Sequence, residues 1–434
     1  MTLARNSWFI LLLTLSCSSP ISEVESEFSQ LPGMSITRIN SANSSVPVYR
    51  LQLRQPIDHE HPEGGHFYQH AILTHKAPEQ PIVINTHGYD IDEDWYSYLQ
   101  SGKLSPLASM VSGNQLFVEH RYFGESQPEE IDWKYLNFKQ ITADLHRWRE
   151  ILSRVYEGPW ISTGGSKGGV TATLYRYFYP DDVQATVPIA APMMLSFEDE
   201  RVFQFLDTVG SHECRSRIRS FQLALFENRD RLIPLFQSRA KEAKEEFSTM
   251  SMEQALEYSI LEYPFAHWMY GVSCEDSPSD SATAEGFIDH LLAAVRTLEY
   301  YSDRGLAKTG PYIYQSATEL GSWNYSNDEF EEFVDPSTTS PNSWITYLPD
   351  SVEAQYDNTL FRKVLDWLNV GGDRFIHIYR GSDPWSAFSV APPKDLDALW
   401  YMLPERHHHS LGVYALDEMQ KEEVRRTLQR WLEV

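Results

Sequence analysis

The sequence has little positive charge, few cysteines and, beyond its first 16 residues, no long apolar run. Lysine and arginine number 36 among 434 residues, against 61 aspartates and glutamates, so the formal net charge is −25. Because so acidic a surface repels phosphate backbones, we expect no nucleic-acid partner. A bilayer span needs about 20 apolar residues, so the rest of the chain is predicted to be soluble. The hydrophobic content of 42% supports a sizeable core and excludes a disordered chain.

The N-terminus has the layout of an export signal. Arg5 precedes an apolar stretch over 8–15, and Cys17 follows it directly after a serine. This pattern resembles a bacterial lipoprotein signal. We therefore expect 1–16 to be a signal peptide and Cys17 to be acylated, with the protein secreted or anchored in the bacterial envelope, periplasm or cell surface. Thr14 stands where such signals usually carry an aliphatic residue, so an ordinary secretory signal is the alternative.

The three cysteines predict one disulfide. Once Cys17 is set aside, Cys214 and Cys274 form an even pair, which an oxidising compartment favours as a bridge. A bridge closing so long a loop stabilises the fold by about 4 kcal/mol in the chain-entropy model. Two buried free thiols are the alternative.

Hydrophobic periodicity divides the chain into a sheet-forming body and a helical insertion. Strand and helix patterns alternate over 46–192 and again over 371–434, which predicts a doubly wound α/β sheet. Residues 193–370 are mostly helix-patterned and predict a helical insertion, while 17–45 lack periodicity and predict a leader or tether. Particular predicted elements are a hairpin from Val46, a helix over Asp132–Leu152, a capping box at Ser251 and Gln254, and a helix over Ala284–Tyr301.

The strongest chemical motif is a serine among glycines, Gly164-Gly165-Ser166-Lys167-Gly168-Gly169, between a predicted strand and a predicted helix. A strand-to-helix turn tight enough to expose a serine hydroxyl leaves no room for flanking Cβ atoms. The N-terminus of the following helix also presents N–H groups to a forming oxyanion. These features predict that Ser166 is a nucleophile, with a Gly-rich structural turn as the alternative.

A serine nucleophile needs a general base oriented by a carboxylate, and in this fold the acid and then the histidine follow it in the chain. Asp383 lies just beyond a predicted strand and is the candidate acid. Its competitors are Asp373, Asp395 and Asp397, and an Asp-Pro turn is the structural alternative. The base lies within 407–409, three adjacent histidines that cannot all face one metal ion, so we predict no metal. Spacing alone does not choose among them.

Several longer motifs carry a family resemblance. They are Gly113-Asn114-Gln115, Glu119-His120-Arg121-Tyr122-Phe123, Asp132-Trp133, Thr163 to Gly169, Tyr179-Pro180-Asp181-Asp182 and Asp383-Pro384-Trp385. The chain from about Gln55 to its end resembles the bacterial secreted tripeptidyl aminopeptidases, serine peptidases related to the prolyl carboxypeptidases. That resemblance implies an α/β-hydrolase sheet with a large helical lid insertion.

The resemblance also assigns roles. Ser166 attacks the scissile carbonyl, His409 relays the proton and Asp383 holds the imidazole. His409 is chosen because an aliphatic residue and a leucine, Val413 and Leu416, follow it at the family's spacing. The family has Asn and Gly around its histidine where this chain has His408 and Ser410, which leaves His408 as the alternative.

The predicted oxyanion hole uses two backbone N–H groups. One belongs to Lys167 and the other to the loop of His87, Gly88 and Tyr89, where Tyr89 is our prediction.

The predicted function is a secreted serine aminopeptidase that releases tripeptides, with proline preference left open. The insertion would act as a lid that excludes folded protein from the site. Candidate acids for the substrate amine are Glu119, Glu125 and Asp90, each with a structural role as the alternative. Peptides with a free N-terminus are the expected partners, contact with a membrane is expected only through a lipid on Cys17, and no cofactor is needed. The alternatives are an esterase or prolyl carboxypeptidase-like hydrolase, and a non-catalytic surface lipoprotein.

Overall fold

The structure is a computed structural model that describes most of the chain beyond the predicted signal. The described residues are 23–40, 46–279, 282–323, 325, 329–338, 347–348, 352–404, 407–409 and 412–433. The predicted signal peptide, 1–16, and the predicted lipidation site, Cys17, lie outside these residues.

A nine-stranded sheet forms the centre of the fold. Its strands are β1 (Met34–Arg38), β2 (Val48–Pro56), β3 (His66–Thr74), β4 (Ile82–Asn85), β5 (Asn114–Val118), β6 (Trp160–Gly165), β7 (Ala185–Ile189), β8 (Ile376–Arg380) and β9 (Leu399–Leu403). Their spatial order is β1-β2-β3-β5-β4-β6-β7-β8-β9. Pairing is antiparallel from β1 to β5 and parallel from β5 to β9. The predicted hairpin is β2–β3, and the predicted α/β-hydrolase fold class is confirmed.

Helices cover both faces of the sheet, which explains why its central strands are almost continuously apolar. The helices of the sheet-forming body are α1 (Glu23–Phe28), α2 (Glu93–Gln100), α3 (Pro106–Met110), α4 (Phe138–Leu152) and α5 (Lys167–Phe178). On one face, Trp148 and Leu152 of α4 pack against Ile84 and Leu116. The opposite face is covered in part by the C-terminal helix, whose Val424 lies in a cluster with buried residues of β6, β7 and β8.

The chain between β7 and β8 is mostly helical. Its helices are α6 (Arg201–Leu206), α7 (His212–Glu227), α8 (Arg229–Ala243), α9 (Met252–Tyr270), α10 (Ala284–Val295), α11 (Thr297–Tyr300), α12 (Asp303–Gln315) and α13 (Thr359–Gly371), and α14 (Glu418–Leu432) follows β9. The predicted capping box of Ser251 and Gln254 begins α9. The helix predicted over Ala284–Tyr301 is interrupted, because Arg296 takes a left-handed conformation with φ 57° that ends α10.

Two further sequence expectations differ from the structure. The helix predicted to start at Asp132 begins at Phe138 instead, because the Asn137 side chain caps α4 by accepting the Gln140 N–H. Part of the predicted leader is also an element of the fold, since α1 and β1 lie within it. Phe28 is fully buried, and its ring meets that of Tyr156 edge to face, so burial of this aromatic residue anchors the segment.

A disulfide joins Cys214 in α7 to Cys274 beyond the end of α9, as predicted. Their Cα atoms are 5.5 Å apart, and 60 positions of sequence separate them. The bridge therefore ties together two parts of the helical region. Within the described ranges, no helix has the length and apolarity required to cross a bilayer.

Candidate active site

Ser166 lies at the sharp turn between β6 and α5. Its backbone has φ 52° and ψ −126°, a conformation that L-residues seldom adopt. This conformation is typical of the strained strand-to-helix turn that carries the serine in α/β hydrolases. The turn is fixed on both sides, because the Ser166 N–H donates to the Ile189 carbonyl at 2.8 Å and its own carbonyl accepts from Val170. The structure thus places the serine hydroxyl at the carboxyl end of the parallel strands.

The two glycines of the motif are sterically required. A Cβ atom on Gly164 would lie 2.4 Å from the Gly168 carbonyl carbon, and one on Gly168 would lie 2.6 Å from the His87 carbonyl oxygen. Both distances are far below contact distance, and both obstacles are backbone atoms that cannot swing away. Gly165, in contrast, has open space around it. The steric argument made from the sequence therefore holds for the positions two before and two after Ser166.

The loop after β4 packs directly on the start of α5. The Thr86 hydroxyl donates to the Gly168 carbonyl, and a Cβ atom on Gly88 would lie 2.7 Å from the Gly168 nitrogen. Gly88 has φ 97°, which favours glycine. The loop that was predicted to supply an oxyanion donor is therefore next to the residues that follow Ser166. This approach brings the two predicted donors, the N–H groups of Lys167 and Tyr89, to the same region.

Asp383 is fully buried just beyond the end of β8. One carboxylate oxygen accepts the Trp385 N–H at 3.1 Å, which caps the short turn over Pro384–Phe388. The other oxygen lies 2.7 Å from Nδ1 of His408. Asp383 therefore caps an Asp-Pro turn and also lies within hydrogen-bonding distance of an imidazole.

The side chains of the three adjacent histidines contact three different parts of the structure. His407 packs on Gly271, whose added Cβ would lie 2.6 Å from the imidazole. His408 meets Asp383, and the ring of His409 stacks on Tyr270 at 5.2 Å. Burial lowers the pKa of the His409 imidazole to about 4. The divergence agrees with the sequence argument that these side chains cannot converge on one ion.

The expected pairing of Asp383 with His409 is not formed. The His408 N–H donates to the Met269 carbonyl at 3.0 Å near the C-terminal end of α9, and this bond ties the histidine loop to the helical region. His409 instead borders the cavity that Ser166 also borders. The backbone of the histidine loop is therefore held by a residue that is far away in sequence.

A cavity of about 470 Å³ lies between the sheet edge and the helical region. Its size falls in the range of about 300–1,000 Å³ that holds small ligands, and it is too small for a folded protein. Aromatic side chains dominate its wall. They include Tyr89, Phe123, Tyr270, Tyr300, Tyr301, Tyr312, Trp323, Tyr325 and Trp385. The Trp323 and Trp385 rings meet edge to face, with their centres 4.8 Å apart, and form an apolar corner.

Glu262 of α9 is the unusual titratable side chain in this wall, and the sequence did not point to it. Burial raises the pKa of its carboxyl to about 8, opposed only by a hydrogen bond with Tyr325. Its Oε2 atom has no hydrogen-bond partner among the described residues. The cations that line the cavity are paired elsewhere, Lys308 with Asp90 at 3.3 Å and Arg296 with Glu299 at 3.6 Å. The cavity therefore presents an uncompensated acid.

The acids proposed from the sequence for amine binding have other partners. Glu119 accepts the N–H groups of Ile91 and Glu125 and the Ser126 hydroxyl, so it organises a turn. Glu125 forms an ion pair with Arg50. Asp90 borders the cavity but is paired with Lys308. The structural alternative thus describes Glu119 and Glu125.

The sheet order, the strained serine between β6 and α5 and the buried acid–histidine pair define this chain as a serine hydrolase of the α/β-hydrolase class. The family model of the PS-10 peptidase S37 matches residues 20–425. The chain therefore belongs to the S37 family of serine peptidases, and the predicted resemblance is confirmed.

Two curated relatives show where the family similarity extends. A prolyl tri/tetrapeptidyl aminopeptidase of Streptomyces mobaraensis is 30% identical over 382 residues, covering 86% of this chain and 76% of that protein. The human lysosomal Pro-X carboxypeptidase is 24% identical over 377 residues, covering 74% of each chain. Among solved structures, a proline iminopeptidase of Mycobacterium smegmatis matches 88% of this chain with a TM-score of 0.39 and 12% identity.

Proposed function

We propose that this protein is an exported serine aminopeptidase that releases short peptides, tripeptides in the first place, from free N-termini. In the proposed reaction, the Ser166 hydroxyl attacks the scissile carbonyl and His408 Nε2 takes its proton. The same proton then passes to the leaving amine, and water resolves the acyl-enzyme. Asp383 holds Nδ1–H of His408, which fixes the tautomer that leaves Nε2 free to accept a proton.

His408 replaces His409 in this proposal because of the hydrogen bond to Asp383. A base without an orienting carboxylate is a poor partner for serine. His409 lies instead at the cavity wall, where its ring stacks on Tyr270. We propose that His409 shapes the substrate pocket, and that the N–H groups of Lys167 and Tyr89 bind the oxyanion.

The uncompensated carboxylate of Glu262 is the observation that carries the proposal of an aminopeptidase. A peptide that enters this cavity by its N-terminus brings an ammonium group, which pairs with a buried carboxylate. A peptide that enters by its C-terminus brings a carboxylate, which an ionised Glu262 would repel and a protonated Glu262 would leave without a cationic partner. The cavity cations already have acidic partners and offer no open site for that carboxylate.

Proline preference follows from the apolar corner of Trp323 and Trp385. A pyrrolidine ring is compact and apolar and packs well against aromatic faces. Trp385 is two residues from Asp383, so this corner lies beside the proposed catalytic acid. The relative from Streptomyces mobaraensis is named as a prolyl tri/tetrapeptidyl aminopeptidase, which agrees with the same preference.

We also propose export with a lipid on Cys17, on the basis of the N-terminal sequence pattern. A relative from Arthroderma benhamiae is named as a probable extracellular serine carboxypeptidase, which agrees with export in related proteins. Mass spectrometry of the mature N-terminal peptide tests this proposal. A diacylglyceryl group on Cys17 supports it, and a mature chain that starts elsewhere without lipid contradicts it.

A substrate panel tests the proposed peptidase activity. We expect rapid release of p-nitroaniline from Ala-Ala-Pro-p-nitroanilide, and a loss of at least about 100-fold when the N-terminus is acetylated, since the buried acid then has no ammonium partner. A blocked peptide ending in Pro-Phe and a short p-nitrophenyl ester complete the panel. Cleavage of the blocked peptide in preference to the free amine would establish a carboxypeptidase, and ester cleavage alone an esterase. Ser166→Ala is the negative control for every substrate.

A further inference from the structure

The side chain of Lys167 is an unexplained buried amine beside the nucleophile. It is 1% exposed, and burial holds the pKa of its amine well below the usual value, with no described charged group opposing the shift. Its Nζ atom lies 5.1 Å from the Tyr89 ring centre and 4.6 Å from that of Phe123. Burying an amine without an acidic partner costs stability that a methionine at this position would not cost. A lysine that is retained at this cost beside the nucleophile is therefore a candidate for a functional role.

The one hydrogen bond described for this amine goes to the Gly88 carbonyl oxygen. That oxygen belongs to the peptide unit between Gly88 and Tyr89, and the N–H group of the same unit is that of Tyr89. In a planar trans peptide the C=O and the N–H point in opposite directions, so holding one fixes the direction of the other. None of the described peptide bonds is cis.

The Tyr89 N–H is available for a ligand. Within the described part of the chain it donates to no protein acceptor, while the Tyr89 carbonyl accepts the His120 N–H at 3.1 Å. The peptide unit is thus held at the Gly88 oxygen and at the following carbonyl, with the N–H between them unused. Donors that are fixed in advance in this way are what stabilises a developing oxyanion most strongly.

We propose that Lys167 is a positioning residue, whose Nζ holds the Gly88 carbonyl so that the Tyr89 N–H is directed at the oxyanion formed on Ser166. The inference rests on the proposed acyl-transfer function. Lys167 then serves the oxyanion twice, with its own backbone N–H as a direct donor and with its side chain through the Gly88–Tyr89 peptide. An amine donates a hydrogen bond in either protonation state, so this role does not depend on its charge.

The test replaces the amine by a chain of similar length in Lys167→Met. We expect kcat for the tripeptide anilide to fall about 10- to 100-fold, somewhat less than the loss on removing an oxyanion donor outright, while KM stays within about twofold. The affinity for a peptide boronate, which forms a tetrahedral adduct on Ser166, should fall by the same factor. The affinity for the product tripeptide should not change. Thr173→Val is the matched control, since it removes another buried polar group of α5.

Amine rescue and fluorophosphonate labelling provide two further tests of the role of Lys167. If Lys167→Met folds poorly, Lys167→Ala is assayed with added propylamine, which should restore kcat with saturation by refilling the vacated amine site. Labelling of Ser166 by a fluorophosphonate needs no peptide recognition, so it tests oxyanion positioning even if the proposed peptide specificity is wrong. Equal labelling rates in the wild-type protein and folded Lys167→Met, or unchanged boronate affinity, would overturn the role of Lys167.

Discussion

Replacing Glu262 by glutamine should change how peptide hydrolysis depends on pH. A carboxyl with a pKa of about 8 is about one-tenth ionised at pH 7 and half ionised at pH 8. The α-ammonium of a peptide also loses its proton at about pH 8. The population in which both partners are charged therefore rises about threefold from pH 7 to pH 8 and falls about threefold by pH 9. Wild-type kcat/KM should follow this bell, centred near pH 8.

The assay is kcat/KM for Ala-Ala-Pro-p-nitroanilide from pH 6 to pH 9 in the wild-type protein and Glu262→Gln. Losing the charged partner of a buried ion pair costs about 2 kcal/mol or more, so kcat/KM at pH 8 should fall at least about 30-fold. The ratio of the two proteins cancels only the pH dependence that they share. That ratio should rise about threefold between pH 7 and pH 8, because Glu262 ionises while about half of the substrate amine loses its proton.

The matched control is Glu299→Gln, which removes an acid of the same cavity that is paired with Arg296. Its ratio to the wild-type protein should be independent of pH. With an acetylated substrate, which carries no ammonium, Glu262→Gln should lose nothing. A wild-type to Glu262→Gln ratio that is flat across this range, or an equal loss on acetylated substrate, would refute the assignment of Glu262 to the substrate amine.

Three further outcomes test the fold around the site. Gly168→Ala should abolish activity and lower the melting temperature, because its Cβ would lie 2.6 Å from the His87 carbonyl oxygen; normal melting with full activity would contradict this. Replacing Cys214 and Cys274 together by serine should reduce the unfolding free energy by about 4 kcal/mol in the chain-entropy model, measured by urea denaturation. Because the pKa of Glu262 is raised to about 8, its contribution to stability is lost as pH rises from about 4.5 to about 8. Glu262→Gln should therefore melt higher than the wild-type protein at pH 9, and equal melting would contradict this.

The sequence could single out the proposed nucleophile and acid because the features that mark them are local. Ser166 is flagged by glycines that its own turn requires, and the structure supplies the steric contacts at Gly164 and Gly168. Asp383 follows a strand and precedes a proline, and both features lie within a few residues of it. The alternation of strands and helices could also be predicted from the sequence, since each element has its own hydrophobic periodicity.

The choice of histidine could not be made from the sequence. His408 and His409 are neighbours, and the backbone of their loop is held by the bond between the His408 N–H and the Met269 carbonyl. That carbonyl belongs to a helix of the insertion, almost 140 positions earlier. The family spacing to Val413 and Leu416 favoured His409. Counting from His408 lengthens each of these two spacings by only one residue, so spacing separates the two histidines weakly.

Glu262 was missed because its significance lies in what surrounds it in space. Residues 258–266 of α9 are apolar or aromatic apart from Ser259 and Glu262. An acid inside such a run was the signal available in the sequence. A single glutamate in a helix is usually solvated, so the sequence offered Glu119 and Glu125 at strand ends instead. Those acids have local partners, whereas Glu262 meets Tyr325 through the fold of the insertion.

Active-site labelling is the sharpest test of whether Ser166 works with His408 and Asp383. The wild-type protein, His408→Ala and His409→Ala are treated with a tripeptidyl diphenyl phosphonate that has a free N-terminus, and the modified peptide is identified by mass spectrometry. We expect the phosphonate to attach to Ser166, with labelling slowed at least about 1,000-fold in His408→Ala and by less than about tenfold in His409→Ala. Labelling of another residue, or the reverse order of the two histidine variants, would contradict this expectation.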